Sequence, residues 1–290
     1  MIRPRWRKVI HDLFDNIPRT LLVVFSIAVG VFSIGVIAGA YVIIGNDMSA
    51  AYASNVPANV ELRMGNFGDE VLTTVRNSRD VGKAEARRVF NLRVRLPGTD
   101  KWTTLDMAAF DDFEGNQVNL LVAIRGVSIP RKHQVVLEKD VLNHLNVDVG
   151  GTLEFQLPDG SIKTMPVVGI VQDSTTSAGD FLASPYAFIT MSTLQSLQQP
   201  DQFNRIYATV AQGGDDLPHI RSVGSDLEGK LEKAGTLVIR SRYAETHKHP
   251  LADTINAILG ILLALGVLIV FLSSSLIANT LSALLNQHLR

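Results

Sequence analysis

Two long stretches of the chain are apolar and uncharged, and they enclose about two hundred residues of mixed composition. Residues 20–46 and residues 254–289 contain no Asp, Glu, Lys or Arg. About 20 helical residues, rising ~1.5 Å each, cross a hydrocarbon core of ~30 Å. The pattern therefore predicts transmembrane α-helices at residues 20–45 and 253–290, with an extracytoplasmic domain at residues 46–250.

The first apolar stretch also has one feature of a secretory signal peptide. Ala38, Gly39 and Ala40 have the small-x-small form of a cleavage site. However, residues 21–37 are already longer than the apolar core of a signal peptide, which has about 7–15 residues. Apolar character also continues through residues 41–44. We therefore interpret this stretch as a retained transmembrane helix.

The segment before it, residues 1–18, has the pattern of an amphipathic helix. Its apolar residues recur at helical spacing on one face: Trp6, Val9, Ile10, Leu13, Phe14 and Ile17. An aromatic apolar face opposite a basic face is typical of a helix lying on a membrane surface. Pro18 is tolerated in the first turn of a new helix, so the chain is expected to bend there and enter the bilayer. A tail that packs on a soluble partner remains the alternative.

Positive charge near the first helix predicts its orientation. Five basic residues precede or begin it, at positions 3, 5, 7, 8 and 19, whereas Arg63 alone follows soon after it. Because positively charged flanks stay in the cytoplasm, the N-terminus is expected inside and residues 46–250 outside. The basic residues before the second helix, Arg240, Arg242 and Lys248, would favour the opposite orientation. However, the rule weakens for long translocated segments.

Small residues within the first helix indicate a surface for helix packing. Gly30, Gly35 and Gly39 allow a neighbouring helix to approach closely, and the last two form a G-x-x-x-G pattern. Glycine is also frequent in membrane helices without such a role.

The second apolar stretch is longer than a bilayer requires, since 36 helical residues would span about 54 Å. Ser275, Asn279, Ser282 and Asn286 share one face of its last part, with leucines towards the other face. One interpretation is a stiff coupling rod that continues into the cytoplasm; the other is a polar face lining a helix bundle. The pattern is still running at Arg290, so we expect this chain to be the front portion of a longer protein.

The segment between the two helices alternates strands and helices in an order that recurs. A strand, a helix and a strand occupy residues 59–96, and the same order returns over residues 206–240. Such units predict an α+β extracytoplasmic domain with a ferredoxin-like lobe, at about residues 58–112 and 203–241. An inserted β-rich lobe is expected at about residues 128–192.

Composition and the absence of certain motifs argue against several classes of function. The net charge is −1, which gives no electrostatic reason to expect nucleic acid, and there is no cysteine. No phosphate-binding loop, nucleophile elbow or H-E-x-x-H motif occurs. Glu245, His247 and His249 lie on a linker, where such residues are usually solvated. We therefore assign no catalytic, cofactor-binding or metal-binding residue and expect no enzyme.

Several segments resemble one family. They are residues 16–31 (NIPRTLLVVFSIAVGV), 135–137 (VVL), 148–152 (DVGGT) and 167–171 (VVGIV). Together with the amphipathic segment and the two helices, they are similar to MacB/FtsX-like permeases of ABC transporters and their periplasmic core domain. Residues 272–289 resemble the start of the permease module.

This resemblance implies a multi-pass protein of the bacterial plasma membrane that works as a dimer with an ABC ATPase. ATP would be bound by that partner, so no cofactor is expected in this chain. Members of the family often transmit nucleotide-driven movement to the outer domain, and their cargoes vary too widely to be identified from sequence. A two-helix receptor with an outer sensing domain is the alternative, although the face from Ser275 to Asn286 lacks the charged heptads of a signalling coiled coil. A membrane-anchored hydrolase is disfavoured because no nucleophile and base are evident.

Overall fold

The computed structural model describes residues 17–175 and 184–288. Four α-helices and ten β-strands follow one another along this part of the chain, with short 3-10 helices at Lys139–Asn143 and Met191–Leu197. The elements are α1 (Ile17–Ser54), β1 (Val60–Phe67), α2 (Asp69–Arg76), β2 (Val81–Arg95), β3 (Thr103–Phe110), β4 (Val122–Gly126), β5 (Val135–Glu138), β6 (Thr152–Gln156), β7 (Ile162–Gln172), β8 (Tyr186–Thr190), β9 (Phe203–Val210), α3 (Leu217–Lys233), β10 (Val238–Tyr243) and α4 (Ala252–His288).

The chain divides into two compact units. One contains α4 and the part of α1 up to Asp47, and the other contains Met48–Leu251. Within the helices, Ala28–Ser54 and Ala252–Leu272 are long and apolar enough to cross a membrane. Helix α1 continues nine residues beyond residue 45, the predicted end of the first transmembrane helix, and so includes Asp47.

Four strands of the domain form a ferredoxin-like sheet. Its order is β10, β1, β9, β2, and each adjacent pair is antiparallel. One face is apolar and packs against α2 and α3, which contribute Val71, Val75, Ile220 and Leu227 to a common core. The β-α-β-β-α-β order predicted from sequence is therefore present, although the last two strands are separated from the first two by a long insertion.

The insertion closes into a six-stranded ring. Strand β2 pairs with β3, β3 with β8, β8 with β5, β5 with β7, β7 with β6, and β6 returns to β2. The inward-facing side chains fill the ring with a single hydrophobic core that includes Leu105, Leu137, Phe155, Met165 and Ile189. A closed ring has no free edges, which stabilises a lobe built from such short strands.

The division between the lobes differs from the prediction. The sequence analysis placed β3 and all of β2 in the ferredoxin-like lobe. In the structure, residues of β3 and of the second half of β2 belong to the core of the ring. The reason is the length of β2, which has fifteen residues and pairs with β9 through Arg87 and with β3 from Arg87 onward. A single strand therefore runs through both lobes.

Helix α3 begins as its sequence indicates. Asp216 is the N-cap, and its carboxylate accepts a hydrogen bond of 3.3 Å from the backbone amide of His219. Pro218 follows in the first turn, where its missing N–H leaves no intrahelical bond unmade.

Candidate functional site

The two chain segments that connect the domain to the helices are hydrogen-bonded to each other through Asn59. This side chain is 2% exposed. Its amide nitrogen donates to the backbone oxygens of Gly214 and Ala244 and to the hydroxyl of Thr246, at 3.2, 3.0 and 3.0 Å. Its oxygen accepts from the backbone amide of Val210 at 3.0 Å. The segment leaving α1 is thus fixed to the segment leading towards α4.

A second set of bonds fixes the segment leaving α1 to the loop after β3. The backbone amides of Asn119 and Leu120 donate to the oxygens of Val56 and Asn55, both at 2.9 Å. The Asn119 side chain accepts from the amide of Ala58 at 2.8 Å. Val56 has φ +48°, which is rare for a β-branched residue. These bonds hold the strained turn in place.

An aromatic contact joins the same two segments. Tyr52 is buried, and its ring meets His249 edge-to-face with centroids 5.2 Å apart. Burial lowers the pKa of His249. Its Nδ1 accepts a hydrogen bond of 3.1 Å from the amide of Leu251, so the neutral ring carries its proton on Nε2. We call Tyr52, Asn55, Asn59, Asn119 and His249, with their partners, the junction.

The junction is connected to the boundary between the lobes by Arg87. Its Nη2 donates to the backbone oxygens of Val118 and Asn119, at 2.7 and 3.3 Å. The guanidinium is 1% exposed and lies over the rings of Phe110 and Tyr207, at 4.0 and 4.8 Å from their centroids. Arg87 is also the residue at which β2 changes from pairing with β9 to pairing with β3. Its side chain therefore connects the loop at the junction to the boundary between the two lobes.

A buried carboxyl group lies near the junction on the side of the ring. Burial, together with the charges of Asp140 and Asp173, raises the pKa of Glu138 to about 8. Asp173 in turn accepts from the amide and hydroxyl of Thr175, and the neighbouring Ser174 hydroxyl accepts from Asn55 at 3.2 Å. The raised pKa favours the protonated form of Glu138, because burial penalises its charge.

Within the helical unit, one of the three predicted packing glycines lies between the helices. Gly30 is buried, and a Cβ on it would lie 2.7 Å from Cγ2 of Val270. Around Gly35 and Gly39 no heavy atom lies within 4 Å of the corresponding position. Gly266, which the sequence analysis did not single out, is the buried counterpart on α4 and faces Ile34. Its only signal was that it is one of two glycines in a leucine-rich run.

The remaining predicted residues are placed as follows. Trp6, Ile10 and Phe14 lie outside the described residues, and Pro18 lies exposed in the first turn of α1. Ser275 and Asn279 are exposed on α4. Ser282 and Asn286 lie on the same helix, but their side chains are outside the described part. The roles of these residues at the interface and in coupling stay predictions.

The three linker residues considered for metal binding face different partners. The amide and the ring of His247 contact the carboxylate of Asp215, at 2.8 Å each, whereas His249 meets Tyr52. Glu245 lies 3.9 Å from Lys248. Across residues 17–175 and 184–288, no group of three or more His, Cys, Asp or Glu side chains could hold a metal ion.

These features define a class: a mixed α/β domain with a ferredoxin-like lobe, flanked in sequence by two helices apolar enough to span a membrane. A family model described as MacB-like periplasmic core domain matches residues 20–221, more than half of the chain. The chain belongs to this family, and it is a MacB/FtsX-like permease of an ABC transporter. No curated protein matches it.

Three solved structures are similar to parts of this chain. They are the extracellular domain of the noncanonic ABC-type transporter YknZ from Gram-positive bacteria (TM-score 0.43, 10% identity, covering 63% of this chain and 100% of that one), the periplasmic region of MacB from Actinobacillus actinomycetemcomitans (0.43, 13%, 71% and 95%) and a domain of a putative permease protein from Porphyromonas gingivalis (0.39, 11%, 60% and 84%). The assignment to the family rests on the match to the family model.

Proposed function

We propose that this permease couples ATP hydrolysis by a partner ATPase to movement of its extracytoplasmic domain, for export or for mechanical signalling. Family membership supports a permease and an ATPase partner rather than the two-helix receptor considered from sequence. ATP hydrolysis then belongs to the partner. The proposal includes a cytoplasmic N-terminus, as the positive charges near α1 predict.

The observation that carries the proposal is the junction. The segments that leave α1 and lead to α4 connect the domain covalently to the helices, and both are hydrogen-bonded to its interior. Asn59 bonds the two segments to each other and to the end of β9. Asn119 and Arg87 extend this network to the residue where β2 passes between lobes. Buried hydrogen bonds between separate segments resist local unfolding and so favour transmission of a displacement.

The proposal extends to a second copy of the permease and to α4 as the coupling element. Helix α4 has 37 residues, so a ~30 Å hydrocarbon core uses little more than half of it. A continuous helix of this length supports the coupling rod, with Ser275, Asn279, Ser282 and Asn286 on one face. In this proposal, closure of two ATPase subunits moves the rods of two permease copies together.

Insertion of two glycines after Ser282 tests the rod. Each glycine in a helix interior costs about 1 kcal/mol, and two extra residues rotate all that follows by about 200°. We expect the complex with its ATPase still to assemble and to hydrolyse ATP. However, the ATP-dependent change in fluorescence of a dye at Asn146→Cys, an exposed position in the domain, should disappear.

The matched control places two glycines after Asp159, in the exposed turn between β6 and β7. This control should keep the ATP-dependent fluorescence change. An unchanged response after insertion at Ser282 would remove the rod from the proposal.

A further inference from the structure

The face of the ferredoxin-like sheet opposite its helices carries a row of arginines. Arg63 on β1 lies directly across from Arg240 on β10 and from Arg205 on β9, and Arg205 lies across from Arg87 on β2. Four positive side chains thus occupy one cross-strand row. Like charges directly opposite one another destabilise a sheet, so folding alone gives no reason for this row.

The neighbouring row compensates only part of this charge. It contains Arg242, Glu61, Tyr207 and Glu85, again in direct register. The carboxylate of Glu61 is shared among Arg63, Arg205 and Arg242, at 2.8, 3.4 and 3.9 Å. Glu85 lies 3.6 Å from Arg87.

Five arginines therefore face two carboxylates in these rows. Asp106 on β3 adds a third carboxyl group, whose pKa is raised by burial and lowered by Arg205 and Arg63. Among these residues, arginines outnumber carboxyl groups by five to three.

A cleft opens on this charged face beside the junction. Its volume is about 90 Å³, and its lining includes Glu61, Tyr207, Arg242, Thr175 and Asn119. Since one water molecule occupies ~30 Å³ in the liquid, this space accommodates a phosphate-sized group but not a whole peptide or drug. The Tyr207 hydroxyl is buried, and its proton finds no acceptor among the described residues.

The cleft also lies close along the chain to both candidate membrane spans. Its lining also includes Tyr52 and Pro250. Tyr52 is in the last turn of α1, and Pro250 precedes the start of α4 by two residues. Two residues extend at most ~7 Å, so only a short piece of chain separates the lining of the cleft from the start of α4.

We propose that this cleft binds a phosphate-type oxyanion, either free in solution or carried by a phospholipid headgroup. The anion would accept hydrogen bonds from Arg242, the arginine that lines the cleft, and from the Tyr207 hydroxyl. The four arginines of the other row do not line the cleft and would favour the anion only through their charge. Guanidinium and phosphate form charge-assisted hydrogen bonds, the strongest type available to such a site. The site is independent of coupling to an ATPase, so its test does not depend on the proposed function.

The test is isothermal titration of the full chain in a neutral detergent, with inorganic phosphate and separately with short-chain phosphatidylglycerol. We expect Arg242→Gln to weaken binding about tenfold, the effect of one lost charge-assisted hydrogen bond. Tyr207→Phe should weaken it severalfold while keeping the ring over Arg87. Arg131→Gln, at an exposed position of the ring lobe, is the matched control and should bind as the original chain does.

Binding of both probes, or of either alone, supports the oxyanion site. Binding of phosphatidylglycerol alone identifies a headgroup as the source, and binding of phosphate alone identifies a soluble ligand. No heat with either probe, or equal affinity in the original chain, Arg242→Gln and Tyr207→Phe, would overturn the proposal. Circular dichroism establishes whether each variant is folded. If Arg242→Gln is unfolded, the affinity of Tyr207→Phe tests the proposal.

Discussion

Asn59→Ala should lower the free energy of unfolding of the domain by about 3 kcal/mol or more. The substitution removes the partner of the Ala244 oxygen and of the buried Val210 amide, whereas the Gly214 oxygen keeps a hydrogen bond of 2.7 Å from the amide of Thr246. Each buried polar group left unpaired costs roughly 1–3 kcal/mol. Because these two groups lie in separate segments, one local rearrangement cannot give both of them new partners.

The measurement is urea unfolding of the full chain in detergent, followed by tryptophan fluorescence. The chain has two tryptophans, at positions 6 and 102, so a Trp6→Phe background leaves Trp102 of the ring lobe as the reporter. Asn146→Ala removes an equivalent side chain at an exposed position and should change stability by at most about 0.5 kcal/mol. Equal unfolding midpoints for the two variants would show that Asn59 does not hold the junction.

Gly30→Leu should separate α1 from α4. A single Cβ at this position would already lie 2.7 Å from Cγ2 of Val270, closer than carbon atoms pack, and leucine adds three more carbons. Association of membrane helices depends on close packing, since lipid is as apolar as the side chains it would replace. The wider spacing should also remove the contact between Gly266 and Ile34.

Disulfide formation reports this separation directly because the native chain contains no cysteine. In the double variant Ile34→Cys and Gly266→Cys, oxidation should join the two positions, as mass spectrometry of alkylated thiols would show. Adding Gly30→Leu should leave both thiols free. The control adds Gly35→Leu, where the added side chain has open space, and should form the disulfide as before. Equal oxidation in both would contradict the helix contact.

Much of the fold could be predicted because the domain uses simple periodicities. The strands β1, β3 and β9 alternate buried and exposed positions over part of their length, and α3 repeats its apolar residues at helical spacing. Cap chemistry, such as Asp216 with Pro218, marks where α3 begins. The ferredoxin-like order followed from these local signals.

Other strands could not be recognised because they are buried on both faces. All four residues of β5 and the first four of β8 are buried, so no alternation marks them. Closure of the ring depends on the pairing of β6 with β2, a contact between residues about sixty positions apart. Nothing in the local sequence specifies such a pairing, and the lobe boundary was therefore misplaced.

The junction itself was invisible from sequence for a similar reason. Asn59 is one polar residue before a strand, and its four partners lie about 150 to 190 positions later. Gly30 could be found because small residues in an apolar helix have a general meaning. Whether Gly30, Gly35 or Gly39 meets the partner depends on the rotation of α1 about its axis, which the spacing of glycines does not fix.

The most direct measurement of the central claim is the side of the membrane on which the domain lies. Single cysteines can be introduced at Asn146 in the domain and at His11 in the N-terminal segment of this cysteine-free chain. A membrane-impermeant maleimide applied to intact cells is expected to label Asn146→Cys, and to label His11→Cys only after permeabilisation. Labelling of His11→Cys in intact cells, with Asn146→Cys protected, would contradict the account.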